Sequence, residues 1–192
     1  MANCVDLLQG LDPSCDALNK VGGVNKRVWI GQLSQLDETA KYTTDADGYI
    51  DVINMATLGS SPETLKKFYG KKKKNSTALE GVIGENINTI NQSVTLALYY
   101  STPDEREAIE NLYNADDVFV AIEGNYGAIE IYGIDLGLNA SALTGGLGAL
   151  LNDNTAVIIT LSDEQLTLPK QFKSAPSATL ADDITYLDGI SE

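Results

Sequence analysis

Histidine is absent from this sequence, and cysteine is scarce, with two residues among 192. Histidine is the side chain that most often moves protons in catalysis near neutral pH, so the commonest general acid or base is missing. There is no Gly-x-Ser-x-Gly nucleophile motif, and neither cysteine can have a histidine partner. The many carboxylates are scattered in turns and helix starts, where solubility and capping explain them. We therefore expect no enzymatic activity and predict no catalytic residue.

The two cysteines, Cys4 and Cys15, lie near the start of the chain. They are too few for a metal site, because no histidine or third thiol completes a ligand set. Two interpretations stay open: small apolar residues in a reduced protein, or a disulfide formed after release from the cell. The tract Gly145-Gly146-Leu147-Gly148 lacks the lysine and hydroxyl residue of a phosphate-binding loop. We predict no metal site and no cofactor.

Positive charge is also scarce, since 13 Lys and Arg stand against 27 Asp and Glu and the net charge is −14. Such a protein repels the phosphate backbone of nucleic acids. The sequence has no apolar run of about 18 residues that could span a membrane. Its first residues, Met1–Asp6, have neither the positive region nor the apolar core of a signal peptide. We expect a protein that is made and kept in a cytoplasm and binds no membrane.

The chain divides into three predicted segments. Residues 1–23 form an arm that ends in a flexible Gly-Gly pair, and residues 24–172 form a β-rich domain. Residues 173–192 form an acidic tail, which is either disordered or an arm that orders on a partner. Among its apolar residues, Leu180 and Tyr186 are candidates for contact with another subunit.

Two strands are predicted in the first half of the domain, over Lys26–Leu33 and Tyr49–Ile53. The segment Thr44–Gly48 between them ends in Asp-Gly, a strong turn pair. Its carboxylates resemble part of a calcium loop, but the glycine comes too early and the last glutamate ligand is missing. We therefore expect a plain turn there and no calcium.

A run of four lysines, Lys71, Lys72, Lys73 and Lys74, follows Phe68 and Tyr69. One interpretation is a solvated loop or hairpin tip. The other is a loop that meets an acidic surface on a neighbouring copy, because opposite charges on different patches favour head-to-tail contacts. Nucleic-acid binding is the weakest option, since no aromatic residues are interleaved and the total charge is unfavourable. We name all six residues as candidates for contact between subunits or rings.

The second half of the domain has the clearest periodicity. Ser93–Tyr100 alternates between two faces, and a capped helix follows from Thr102 to about Asn114, with Pro103 at its first position and Glu105 completing a capping box. Further strands are predicted at 118–123, 128–134 and 155–161, and a long Gly- and Ala-rich loop at 139–154. The predicted core residues are Val94, Leu96, Leu98, Ile109, Leu112, Val120, Ile131 and Ile159.

These elements follow one another in a particular order: strand, capped helix, hairpin, the tract Tyr132-Gly133-Ile134-Asp135-Leu136-Gly137-Leu138, glycine-bearing loop and final strand. The order resembles that of the major tail tube proteins of tailed bacteriophages, from roughly Val21 to Phe172. The resemblance implies a mainly β fold, namely a β-sandwich or barrel of the tail-tube type. One flanking α-helix, an extended N-terminal arm and a C-terminal tail would accompany it.

The resemblance also implies a function. Such proteins form hexameric rings that stack into a hollow tube, with strands joined edge to edge in a continuous inner sheet. The implied partners are other copies of the chain and other tail proteins in the virion tail, while DNA passes without specific binding. A long loop reaches the neighbouring ring, and Thr64–Glu85 is the candidate for it. The net charge predicts that carboxylates, not lysines, face the channel.

Several alternatives stay open. The chain could be another phage structural protein, such as a capsid decoration or tail-completion protein, or the inner tube of a contractile injection system. A secreted or surface β-sandwich that binds a glycan or protein is a further possibility, although it would need an export signal. The state of assembly distinguishes these readings.

Overall fold

The computed structural model describes residues 24–58, 61–70, 74–85, 87–100, 102–145 and 156–192. Within them the chain is mainly β, as predicted, with thirteen strands and two α-helices. The strands are β1 (Val24–Gln32), β2 (Tyr42–Thr44), β3 (Ile50–Ile53), β4 (Thr57–Leu58), β5 (Ser61–Pro62), β6 (Lys66–Tyr69), β7 (Ser76–Val82), β8 (Thr89–Leu98), β9 (Val118–Gly124), β10 (Ile129–Tyr132), β11 (Asn139–Thr144), β12 (Val157–Gln165) and β13 (Lys170–Phe172), and the helices are α1 (Pro103–Asn114) and α2 (Leu180–Gly189).

The strands form two main sheets. A seven-stranded sheet has the order β2-β3-β13-β10-β9-β1-β6, and a four-stranded sheet has the order β11-β12-β8-β7. Neighbours are antiparallel throughout, except that β13 pairs with β3 in parallel. The short strands β4 and β5 form a separate hairpin.

Strand β9 lies near the middle of the seven-stranded sheet, and all seven of its residues are buried. Val120 and its alternate neighbours belong to one core cluster, whereas Phe119 and Ala121 belong to a second. A strand buried on both faces must be apolar at successive positions, which is what its sequence shows. The seven-stranded sheet is therefore covered on both sides.

The first core cluster lies between the two sheets. Val28 and Val120 from the larger sheet meet Leu96 and Leu161 from the smaller one. The second cluster lies on the opposite face of the seven-stranded sheet, around Trp29, and it includes Leu187 of α2. All eight residues predicted for the core are buried; Ile131 lies in the second cluster and the other seven in the first.

Helix α1 begins as predicted. The Thr102 Oγ1 atom accepts a hydrogen bond from the Glu105 backbone N–H at 3.3 Å, and the Glu105 carboxylate accepts one from the Thr102 N–H at 3.0 Å. These bonds satisfy N–H groups that have no partner inside the helix. Ile109 and Leu112 are buried against the first cluster, while the remaining face of the helix is exposed.

The expected acidic tail is instead part of the fold. Residues 180–189 form α2, which begins at Thr179, whose hydroxyl and N–H both bond to Asp182 in a second capping box. Leu187 is completely buried, and Tyr186 packs on Phe172 with ring centroids 5.3 Å apart. Neither disorder nor docking on a partner is needed to order this segment, and the expectation of a single helix is wrong.

Two segments predicted as loops contain strands. Thr64–Glu85 contributes β6 and β7, each at an edge of a different sheet, so it is not one long free loop. Part of the predicted loop at 139–154 is β11. Both β7 and β11 are rich in Ser, Thr and Ala, so they carry little of the β-branched and aromatic signal that identifies strands. The arm at 1–23 with both cysteines, the lysines 71–73 and the tract Gly146-Leu147-Gly148 lie outside the described residues.

Replacing Leu187 by alanine should destabilise the protein by roughly 2–5 kcal/mol, because it opens a cavity beneath α2. Thr185→Ala is the matched control, since Thr185 lies on the exposed side of the same helix, and it should change stability by less than about 0.5 kcal/mol. Denaturant unfolding of both variants measures the difference. Equal free energies of unfolding would show that α2 does not cover the core.

Candidate assembly surface of the four-stranded sheet

The four-stranded sheet has one face in the core and one face outside it. Along β8, Val94 and Leu96 point into the core, so the alternate residues Ser93 and Thr95 point outward. Strand β12 lies in register, with Thr160 opposite Thr95. The outer face is therefore lined mainly by small hydroxyl-bearing side chains.

The hydroxyl groups of this face bond to one another. The Thr95 and Thr160 Oγ1 atoms are 3.2 Å apart, and the Ser162 hydroxyl donates to the Ser141 hydroxyl at 2.8 Å. Ser141 in turn donates to the Thr160 carbonyl at 3.2 Å. These bonds link three neighbouring strands and hold short side chains close to the sheet. The resulting surface is polar and flat, without long protruding groups.

This face bears negative charge only. None of the residues in the four strands is Lys or Arg. Glu80 on β7 and Glu164 on β12 both stand opposite Asn91 of β8, and Thr89 donates to the Glu164 carboxylate at 2.7 Å. A surface of hydroxyls and carboxylates without cations disfavours contact with phosphates.

Two buried glutamines hold the tract between the sheets. The Gln92 side chain accepts from the Gly133 N–H at 3.0 Å and donates to the Thr167 carbonyl at 2.8 Å. The Gln165 side chain accepts from the Leu136 N–H at 3.2 Å and donates to the Gly137 carbonyl at 2.6 Å. Both glutamines are about 98% buried or more, so these bonds satisfy polar groups that water cannot reach.

The two glycines of the tract have the conformations that the turn demands. Gly133 and Gly137 have φ values of 72° and 88°, a region that other residues adopt at a cost. A Cβ atom on Gly133 would lie 2.5 Å from Leu138, and one on Gly137 would lie 2.6 Å from the Asp117 backbone. The tight turn brings Leu138 beside Val118, where each N–H bonds to the other's carbonyl at 2.9 and 2.7 Å, and β11 begins at the next residue.

The acidic residue of the tract ties it to the seven-stranded sheet. The Asp135 carboxylate accepts from the Tyr42 hydroxyl at 2.7 Å and from the Thr167 hydroxyl at 2.9 Å. Burial and this bond to Asp135 raise the pKa of Tyr42 to about 12, so the phenol stays protonated at every physiological pH. Lys170 lies 3.6 Å from the same carboxylate. The tract 132–138 therefore helps to position the two sheets that it connects.

The edges of the sheets differ in their protection. In the seven-stranded sheet, β6 bridges Leu98 of the other sheet through Gly70, and its other end pairs with residues near Ser191. The opposite edge, β2, is only three residues long and has an irregular register. In the four-stranded sheet, both edge strands, β7 and β11, have no further strand beside them among the described residues. Such unpaired edges are templates for pairing with another chain.

Exposed apolar side chains gather at the two ends of the four-stranded sheet. Ile83 and Leu168 are 90% and 61% exposed, and they follow Val82 and Gln165, which lie at the β8 end that starts with Thr89. At the other end, Tyr99 and Tyr100 follow directly on β8 and are each 39% exposed. Apolar surface exposed at opposite ends is suited to contact between stacked copies.

The residues predicted for contact between subunits are placed as follows. Lys74 is exposed, and Tyr69 is 55% exposed on the edge strand β6. Phe68 is partly buried against the first core cluster. Leu180 and Tyr186 pack on the second cluster of their own chain, so the fold itself uses them. The structure thus brings Lys74 and Tyr69 to the surface, but not the two tail residues.

Sequence reasoning missed the glutamines and the edge strands. The period-two alternation around Val94 was sufficient to assign the two faces of β8. The predicted strand began at Ser93, so it left out Gln92, which shares the core face with Val94. The capping box at Thr179 and Asp182, followed by Ile184 and Leu187, is a sequence signal that could have identified α2.

An open groove of about 560 Å³ separates α1 from β6. It is lined by apolar residues such as Ile30, Leu98 and Ile109, with Lys67 and Glu105 at its sides. Among the residues that the structure describes, no group of three or more Asp, Glu or Cys side chains could hold a metal ion. In the same part of the chain, no helix has both the length and the apolar character needed to cross a membrane.

Comparison with known proteins adds no relative. No protein-family model matches the chain, and neither a curated protein nor a solved structure does. Function must therefore be argued from the geometry of the molecule.

Replacing Gln165 by leucine should destabilise the protein by about 1–3 kcal/mol, because it removes the bond to the Leu136 N–H and leaves the buried Gly137 carbonyl without this partner. The tract should loosen first, so amide exchange at Leu136 and Leu138 should rise more than exchange at Val120. Hydrogen exchange followed residue by residue measures this. Uniform acceleration across all three amides would contradict a local role for Gln165.

The stability that the Asp188 carboxylate contributes should depend on pH. Burial opposes the charge of this carboxylate, but hydrogen bonds from Lys67 and Trp29 outweigh burial and hold its pKa below the usual range. A lowered pKa contributes stability above the unfolded value, and this is lost as the pH falls below about 4. Asp188→Asn should therefore lower the free energy of unfolding by about 1 kcal/mol at pH 7 and by almost nothing near about pH 2. Urea unfolding at both pH values tests this, and a difference that persists in acid would contradict it.

Proposed function

We propose that this chain is a structural subunit of a bacteriophage tail tube, assembled into stacked hexameric rings through which DNA is delivered. The observation that carries the proposal is the four-stranded sheet. Its outer face has hydroxyls and carboxylates, none of its strand residues is Lys or Arg, and neither edge strand has a further strand beside it in the part of the chain that the structure describes. The resemblance in element order supports the same assignment.

The open edges support ring formation. β7 of one subunit and β11 of the next can pair, so that each four-stranded sheet continues into its neighbour. Closing the ring removes every remaining edge of this sheet, which is the most complete protection against uncontrolled pairing. The seven-stranded sheet would then lie outside, where bridges at Leu65 and Gly70 flank its edge strand β6.

The outer face supports passage of DNA. In a closed ring of these sheets it faces the channel, where Glu80 and Glu164 repeat once in every subunit. Carboxylates repel the phosphate backbone, and short hydroxyl side chains leave the channel smooth. DNA would then move through without a site to which it binds.

Charge and apolar surface support stacking. Lys74 is exposed close to the end of the sheet where β7 begins, whereas Glu80 and Glu164 lie toward the other end. Different surfaces at the two ends favour a head-to-tail contact, which continues into a linear stack. The charges would set the register of successive rings more than their affinity.

The test is assembly of the purified chain at high concentration, observed by negative-stain microscopy. Six-fold rings or tubes are expected. Leu79→Lys places a charge on the β7 edge and should weaken each contact between subunits by about tenfold or more, equivalent to about 1.4 kcal/mol, so that the assembled fraction falls. Val52→Lys is the matched control, because Val52 is an exposed apolar residue on β3 in the other sheet.

The alternatives give different results in the same experiment. Monomers or trimers of the unmodified chain would favour a capsid decoration or tail-completion protein, and monomers that bind a glycan or protein would favour a binding module. Tubes that recruit a contractile sheath would indicate an injection system. Equal loss of assembly in Leu79→Lys and Val52→Lys would show that the β7 edge is not the contact between subunits.

A further inference from the structure

We infer that residues Ile190–Glu192 are a displaceable cover on the edge strand β6, and that the uncovered edge pairs with a strand from a second copy of this chain. The inference concerns the seven-stranded sheet, so it goes beyond the proposed ring contact and does not depend on it. The carrying observation is that the three residues after α2 lie beside Leu65 and Lys67, at the start of the edge strand β6, as a neighbouring strand would.

The cover is made by backbone hydrogen bonds. The Leu65 N–H donates to the Ile190 carbonyl at 2.9 Å, and the Glu192 N–H donates to the Leu65 carbonyl at 3.0 Å. The Lys67 N–H lies 3.4 Å from the Glu192 carbonyl. Leu65 and Ser191 therefore pair in parallel, as residues of adjacent strands do.

Side chains make two further contacts beside β6, one from Asp188 at the end of α2 and one from Glu192 of the cover. Asp188 accepts from Trp29 Nε1 at 2.9 Å and from Lys67 Nζ at 2.6 Å. Lys66 lies 2.8 Å from the Glu192 carboxylate, but both side chains are more than half exposed. Exposed ion pairs contribute little to stability, so the end of the cover at Glu192 is held weakly, whereas Ile190 packs on the second core cluster and the buried Leu187 anchors α2.

A second copy of the chain fits the uncovered edge. β6 presents Lys66 and Lys67, and the residues that now lie against it bring the carboxylates of Asp188 and Glu192. The chain as a whole carries 27 acidic residues against 13 basic ones, so its strands readily supply such carboxylates. Extended strands of another copy are present at the same concentration as β6 itself, and edge pairing needs only backbone groups and a compatible charge.

The cover would therefore prevent a wrong contact. A seven-stranded sheet with a bare β6 edge offers another chain an extended row of unpaired backbone groups, which leads to uncontrolled association. With β6 occupied by its own chain, association is directed to β7 and β11, the edges that the fold leaves open.

The experiment compares three substitutions at one position. Glu192→Pro removes the N–H that donates to Leu65, whereas Glu192→Gln keeps that N–H and removes only the exposed charge. Glu192→Lys is a second opening variant, because it sets a cation against Lys66. All are made in the full chain carrying Leu79→Lys, with reductant present, so that assembly through β7 is suppressed and the two contacts are measured separately.

Two readouts are needed. Amide exchange at Lys67 and Leu65 should rise about tenfold in Glu192→Pro and less than about twofold in Glu192→Gln. Light scattering over a range of concentrations should then show larger species in Glu192→Pro and Glu192→Lys only.

Unchanged exchange at Lys67 and Leu65 in both opening variants would overturn the inference, because the cover would not be made by residues 190–192. Faster exchange without larger species would overturn it too, because the bare edge would not accept a second copy. If Leu79→Lys fails to suppress tubes, the ring contact is wrong, but the difference in exchange between Glu192→Pro and Glu192→Gln still tests the cover.

Discussion

Burial of β9 on both faces is the constraint on which the rest of the fold depends. An apolar strand with Val120 facing one way and Phe119 the other needs a cover on each side of its sheet. The four-stranded sheet covers one face and α2 covers the other. Each cover is amphipathic, so the fold has a hydroxyl-rich outer sheet on one side and a partly exposed helix on the other.

The two covers leave their backbone edges in different states. The four-stranded sheet packs through one face, and bridges join it to the larger sheet at Leu98, the end of the inner strand β8, which pairs with Gly70, and at Leu138 before β11, which pairs with Val118. The segment with α2 continues past the helix and occupies an edge. Exposed and partly covered strand edges thus follow from the same requirement to cover β9, and they are the reason why ring formation is proposed through the four-stranded sheet.

The sequence was sufficient for the elements whose side chains alternate strongly or whose ends are capped. Val94, Leu96 and Leu98 identify β8, and Thr102 with Glu105 identifies α1. It was insufficient where pairing with a neighbour, not side-chain preference, makes the strand, as in β7 and β11. The roles of Gln92 and Gln165 also depend on distant partners, since the backbone groups they bond to lie 28 to 75 residues away along the chain.

The environment of Trp29 has a practical consequence. It is the only tryptophan in the chain, it is completely buried, and its indole N–H bonds to Asp188 of α2. Indole emission shifts to longer wavelength when the ring becomes hydrated, so the intrinsic fluorescence of the unlabelled protein reports whether α2 is docked. A single optical signal could therefore follow undocking of the helix in real time, while the subunits associate.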